Sequence, residues 1–198
     1  MSSSTPARWP LPALVGAVVL PPLTVRTLLL TEGHLLPGRA DLLGVAADLG
    51  ISLLLASVAA VAVRTSRRFR PVATALVAGW CVINFANYEH IRELGAMASL
   101  ANAAYVIDPT FFRGSVLAPT HPLLLIQIVL ASTIAAWCAL NPDRRLQPLP
   151  VVASGLVLMV VAATASRTDT IASWRQTDFV TAQGVRLLTS QGAVSDTH

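Results

Sequence analysis

Lysine is absent: all fourteen basic residues of the chain are arginine. Charge of either sign is scarce, at 12% of 198 residues, against roughly 25% in an average soluble domain. A surface built mainly for water is therefore excluded. The only cysteines, Cys81 and Cys138, both lie inside apolar runs. That excludes a disulfide framework, which needs oxidising exposure, and makes them small packing residues. No phosphate-cradling loop, no Gly-x-Gly-x-x-Gly and no Gly-x-Ser-x-Gly elbow occurs, and Gly114 and Gly155 are isolated;. Glu89, His90 and Glu93 are the densest candidates for a metal. His90 projects about 100° away from Glu89 around a helix, and their spacing fits neither a zincin helix nor a zinc knuckle. No catalytic residue, metal site or cofactor is expected from these words.

Long apolar runs fill the space that the missing motifs leave. Hydrophobic residues make up 54% of the chain and the mean hydropathy is +0.64. Five runs stand out, at about residues 9–31, 42–63, 71–88, 121–140 and 150–166. A run of about 20 apolar residues is long enough to cross a bilayer. The gaps between them alternate in charge. Arg64, Arg67, Arg68 and Arg70 crowd one gap and Arg144 and Arg145 another, while Glu32, His34, Arg39 and Asp41 leave the first gap without an excess. Arginine marks the cytoplasmic side. The expected fold class is all-α: a polytopic integral membrane protein with five transmembrane helices, N-terminus in and C-terminus out.

The net charge of +4 does not signal nucleic acid, because the arginines sit at run edges rather than on one patch. The first run is expected to stay attached. Pro10, Pro12, Pro21 and Pro22 punctuate it, and no small-x-small cleavage site follows its core;. Pro21 and Pro22 each lack an amide donor and are expected to kink that helix. Residues 89–104 read as a continuing amphipathic helix lying at the outer interface, between the third and fourth runs. Residues 1–167 thus form the transmembrane domain, and 168–198 an extracytoplasmic tail or connector helix.

Ionisable residues within spans are expensive and mark function by default. Counted at ~1.5 Å per residue, Arg26 and Asp48 fall at similar depth, and Asn84, Asn87 and Glu89 reach the same outer third. One reading pairs Arg26 with Asp48 across helices and uses the asparagines as packing glue. The other makes Arg26, Asp48, Asn84, Asn87, Glu89 and Arg92 a lipid-headgroup site, with the arginines meeting phosphate. His121, before a proline at a helix start, reads as a local hydrogen-bonding residue.

Two words carry a resemblance: Asn87-Tyr-Glu-His-Ile-Arg-Glu-Leu-Gly-Ala96 and Tyr105-Val-Ile-Asp-Pro-Thr-Phe-Phe-Arg-Gly-Ser115. Together with the Pro37-to-Asp48 stretch, they resemble the N-terminal five-helix membrane domain of lipoteichoic acid synthase-like, sulfatase-like phosphoglycerol transferases. In that family the fifth helix leads through a short amphipathic connector, resembled here by Trp174-Arg-Gln-Thr-Asp-Phe179 and Val185-Arg-Leu-Leu188, into a large extracytoplasmic catalytic domain. The resemblance carries over no catalytic residue, because only a tail follows the fifth run. It implies a non-catalytic module that holds a periplasmic or membrane partner and binds membrane lipids in the bacterial inner membrane. Tyr105, Asp108, Phe111, Phe112, Arg113 and Trp174 would dock the partner. Two other classes stay open: an immunity protein against an envelope-targeting toxin, and a small transporter or channel, which would need a polar path through the whole bilayer.

Overall fold

The computed structural model describes residues 10–95, 121–141, 149–165 and 175. Among them the regular structure is all helical. Helix α1 spans Pro10–Glu32, α2 Arg39–Thr65, α3 Arg70–Leu94, α4 Pro122–Leu140 and α5 Leu149–Ala165, with a 3₁₀ turn at Arg67–Phe69 before α3. Four stretches are long and apolar enough to cross a membrane: Leu11–Glu32, Arg39–Thr65, Arg67–Glu93 and Pro122–Leu140. Helix α5 is also apolar but has 17 residues, about 25 Å at the usual helical rise.

The helix ends follow local chemistry. At the start of α2 the Asp41 carboxylate accepts the Gly38 amide at 2.7 Å, satisfying a donor that no helix carbonyl can reach. Ser66 accepts the Arg68 amide at 3.3 Å and opens the 3₁₀ turn. Pro71 and Pro122 sit in first turns, where a missing amide costs nothing;. Helix α3 runs past the expected 88 but does not continue to 104. It stops at Leu94, where Gly95 takes the left-handed conformation (φ 70°) and returns its amide to Ile91 at 2.7 Å. This αL cap is the usual way for glycine to end a helix. Residues 96–120, including the rest of the expected interfacial helix, lie outside the described residues.

Pro21 and Pro22 lie inside α1, which nonetheless runs unbroken from Pro10 to Glu32. The fourth residue before Pro22 is Val18, whose carbonyl would ordinarily accept that residue's amide. Instead Val18 O accepts the Trp80 indole N–H at 3.0 Å and the Ser52 hydroxyl at 3.2 Å. A carbonyl orphaned by proline in an apolar interior needs such partners. It draws α2 and α3 to one point on α1.

Cross-helix bonds fix the directions. Val18–Ser52 and Arg26–Asp48 run α1 against α2, and Val18–Trp80 and Glu32–Tyr88 run α1 alongside α3. Gln127 donates to Thr24 at 2.6 Å and sets α4 against α1. Helix α5 packs on α2, where Gly50 and Gly155 meet. A Cβ on Gly50 would lie 3.1 Å from the Gly155 carbonyl, and one on Gly155 3.0 Å from that of Gly50.

The interior is made of small residues around a few large ones. Ala56, Ala59, Ala60, Ala73, Ala131 and Ala135 surround Val18, Val77, Trp80 and Cys81. Large apolar side chains face outward, among them Leu20, Val58, Val129, Val157 and Val160. Small residues inside and large apolar ones outside suit a bundle whose surroundings are lipid. Both cysteines are free and buried. A second cluster, of Val25, Leu29, Phe85, Tyr88, Ile91 and Leu124, closes the end where α1 and α3 finish and α2 and α4 begin.

Candidate functional site

All five described acidic side chains, Glu32, Asp41, Asp48, Glu89 and Glu93, lie toward that end, while Arg64, Arg67, Arg68 and Arg70 sit at the other. The polar end holds two networks. The first joins α1, α2 and Arg175. Arg26 Nε donates to Asp48 Oδ2 at 2.7 Å, and both side chains are 7% exposed. Arg26 Nη1 donates to the main-chain carbonyl of Arg175 at 3.1 Å. The Arg175 guanidinium grips Asp41, Nε to Oδ1 at 2.9 Å and Nη2 to Oδ2 at 2.5 Å, and Nη2 also reaches the Leu36 carbonyl at 3.1 Å. This forked geometry is the strong form of an arginine–carboxylate pair. The Asp41 carboxylate raises the Arg175 pKa still further above its ordinary value.

Gly44 makes the first network possible. A Cβ there would overlap the Arg26 guanidinium and lie 2.5 Å from the Arg175 carbonyl oxygen. The bare backbone at 44 is the gap through which Arg26 reaches residue 175.

The second network joins α1, α3 and α4. Tyr88 Oη donates to Glu32, lying 2.8 and 3.0 Å from its two carboxylate oxygens. His121 Nε2 also pairs with Glu32. The Tyr88 and His121 rings meet edge to face at 5.7 Å. One residue on, Glu89 is 4% exposed. Its Oε2 lies 3.6 Å from Arg92 Nη2, which itself pairs with Glu93. Its Oε1 is buried and has no hydrogen-bond partner among the described residues.

The structure brings Arg26 and Asp48 together as the interhelical ion pair, and Asn84 turns its amide onto its own helix, donating to the Trp80 carbonyl at 2.9 Å. Asn87 is buried nearby on α3. Glu89 and Arg92 stand with Glu93 and Glu32 in the second network. Tyr105, Asp108, Phe111, Phe112, Arg113 and Trp174 lie outside the described residues. His121 makes no local cap bond at the start of α4; its side chain pairs instead with Glu32 on α1, 89 residues away. Glu32, Tyr88, Asp41, Gly44 and Arg175 join the networks without being marked as site residues by the sequence. For Asp41 a signal exists: an acid three residues after a glycine at a helix start. For Arg175 there is none, since its partner is 134 residues away.

Chemically, this end presents paired charge. Among the described residues no group of three or more His, Cys, Asp or Glu side chains could hold a metal ion. Ionic recognition is what these side chains can do. No protein family, curated protein or solved structure matches the chain.

Proposed function

We propose that the chain is a non-catalytic multi-pass membrane module of a cell-envelope lipid- or glycopolymer-modifying system. In this reading it crosses the bacterial inner membrane five times, N-terminus in and C-terminus out. Its polar end faces the periplasm, binds a phospholipid headgroup, and holds a partner resembling the sulfatase-like phosphoglycerol transferases. The observation that carries the reading is the sorting of charge. Arg64, Arg67, Arg68 and Arg70 collect at one end of the bundle, while buried Arg26, Asp48 and Glu89 open toward the other;. The Arg175 clamp adds support, because it holds at the same end a residue of the stretch that resembles the family's connector.

Two measurements test it. The native cysteines are buried, so single introduced thiols report cleanly. Leu36→Cys, in the exposed α1–α2 turn, should react with an impermeant maleimide on intact cells, and Ser66→Cys only after permeabilisation. The reverse pattern would overturn the topology. Protein purified in mild detergent should retain phospholipid, detected by mass spectrometry; a lipid-free protein that is still folded would end the headgroup reading.

A further inference from the structure

The two networks differ in charge balance, and the difference bears on what the polar end recognises. In the first, two arginines (Arg26, Arg175) face two aspartates (Asp48, Asp41), and each guanidinium already has a carboxylate. A phosphate arriving there would have to displace one. In the second, the charged groups within electrostatic reach of Glu89 are Arg92, Glu93, Glu32 and His121. Counting Glu89 itself, three carboxylates stand beside the Arg92 guanidinium and the His121 imidazole among these described groups.

Glu89 is the least compensated of the three. Its side chain is 6% exposed and the Arg92 nitrogen stands 3.6 Å away, beyond hydrogen-bond range. That same Arg92 nitrogen is engaged by Glu93. Oε1 is orphaned among the described residues. Burying a carboxylate oxygen without a donor is costly, and such atoms in folded proteins call for a missing partner. A cationic donor would satisfy the orphaned oxygen and offset the neighbouring carboxylates at once. A metal ion is disfavoured, because no cage of three or more ligands exists among the described residues. An ammonium group needs no cage: it offers three donors to whatever acceptors surround it. Glu32, His121 and Arg92 are about a third exposed and Glu93 is more so, so the rim of the corner meets solvent or the lipid headgroup layer; Oε1 itself is buried, and a side-chain shift is needed to bring an ammonium against it.

We propose that Glu89 Oε1 is the main acceptor for a primary ammonium group at this corner, with Glu32 and Glu93 adding negative potential nearby. The proposal rests on the headgroup reading above and reverses its polarity: the end of the headgroup that is recognised is the amine rather than the phosphate. The same chemistry could come from a phosphatidylethanolamine headgroup or from a soluble amine.

The test uses the full chain reconstituted in bilayers containing equal parts of phosphatidylethanolamine and phosphatidylglycerol, then purified in mild detergent, with retained lipid measured by mass spectrometry. The expected result is enrichment of phosphatidylethanolamine by about tenfold, the factor that one charge-assisted hydrogen bond supplies. Glu89→Gln keeps the shape and removes the charge, and should return the ratio to that of the bilayer. Glu93→Gln, on an exposed side chain, should lower it by about twofold and serves if Glu89→Gln fails to fold. Calorimetric titration with ethanolamine separates the sources. Glu89-dependent binding of free ethanolamine assigns a soluble amine, and lipid enrichment that survives an ethanolamine wash assigns the headgroup. Equal retention of both lipids by the unaltered protein would overturn the ammonium proposal and leave the headgroup reading standing. No retained lipid, with Glu89-dependent ethanolamine binding, would do the opposite. Unchanged enrichment in folded Glu89→Gln would also overturn the proposal.

Discussion

Trp80 donates its indole N–H to the carbonyl of Val18 at 3.0 Å, across 62 residues, in the place of the amide that Pro22 does not have. Proline in a helix thus does not act only as a breaker. It exposes one acceptor on the helix side, and here Trp80 and Ser52 on the two neighbouring helices use it;.

The coupling of Trp80 to Pro22 can be measured by a double-mutant cycle. Trp80→Phe should destabilise the bundle by about 1–3 kcal/mol for the lost bond to a buried carbonyl, in addition to the indole's packing. With Pro22→Ala the new amide can reach Val18 O along the helix, so the cost of Trp80→Phe should shrink by about 1 kcal/mol. Unfolding in mixed detergent micelles reads both, and strictly additive effects would disprove the coupling.

The Arg26–Asp48 pair should behave as a buried ion pair. Asp48→Asn or Arg26→Met alone leaves one charge uncompensated in an apolar interior and should cost about 3–5 kcal/mol. Joining Arg26→Met to Asp48→Leu should recover most of that loss, because apolar side chains can replace a buried pair at little cost. If the double variant is as unstable as the singles, Arg26 has an additional structural role that Asp48 does not share.

Much of this architecture is legible in the sequence because membrane chemistry is one-dimensional. Run lengths and arginine edges give helices and their ends, and counting residues from the ends puts Arg26 and Asp48 at a common depth. Lateral arrangement is not legible. Depth does not say which face of α3 turns toward α1, so it groups Glu89 with Arg26, whereas Glu89 sits in the corner that α3 shares with Glu32 and His121. Gly95 is a stop signal in the sequence, and it does end α3. Arg175 depends on a contact between residues 134 apart, which no local pattern announces.

Glycine substitutions separate contact from propensity. Gly155→Val should force α5 off α2, since even its Cβ would press on the Gly50 carbonyl at 3.0 Å, and should cost about 1–3 kcal/mol as overpacking does. At Gly16 and Gly79 an added Cβ would meet nothing within 4 Å. There Gly→Ala should be neutral or stabilise by up to about 1 kcal/mol through helix propensity. Thermal unfolding of the three single variants in detergent compares them directly, and equal destabilisation by all three would contradict the close α2–α5 crossing.

Whether residue 175 is fastened to the bundle can be read at the residue itself, because trypsin cleaves after arginine. In the folded chain the Arg175 guanidinium is held by Asp41 and the Leu36 carbonyl, and its own carbonyl by Arg26. A protease must take up both groups, so cutting there should be slow. Asp41→Asn removes the forked ion pair and should speed cleavage at Arg175 by about tenfold, the equivalent of roughly 1.4 kcal/mol. Gly44→Ala should do the same without touching any charge, because its methyl group occupies the gap that Arg26 uses to reach the Arg175 carbonyl. The two together should add little to either alone, since each opens the same clamp. Multiplicative acceleration in the double variant would mean that Asp41 and Arg26 hold residue 175 independently, and no acceleration in either single variant would mean that the clamp does not hold it in solution.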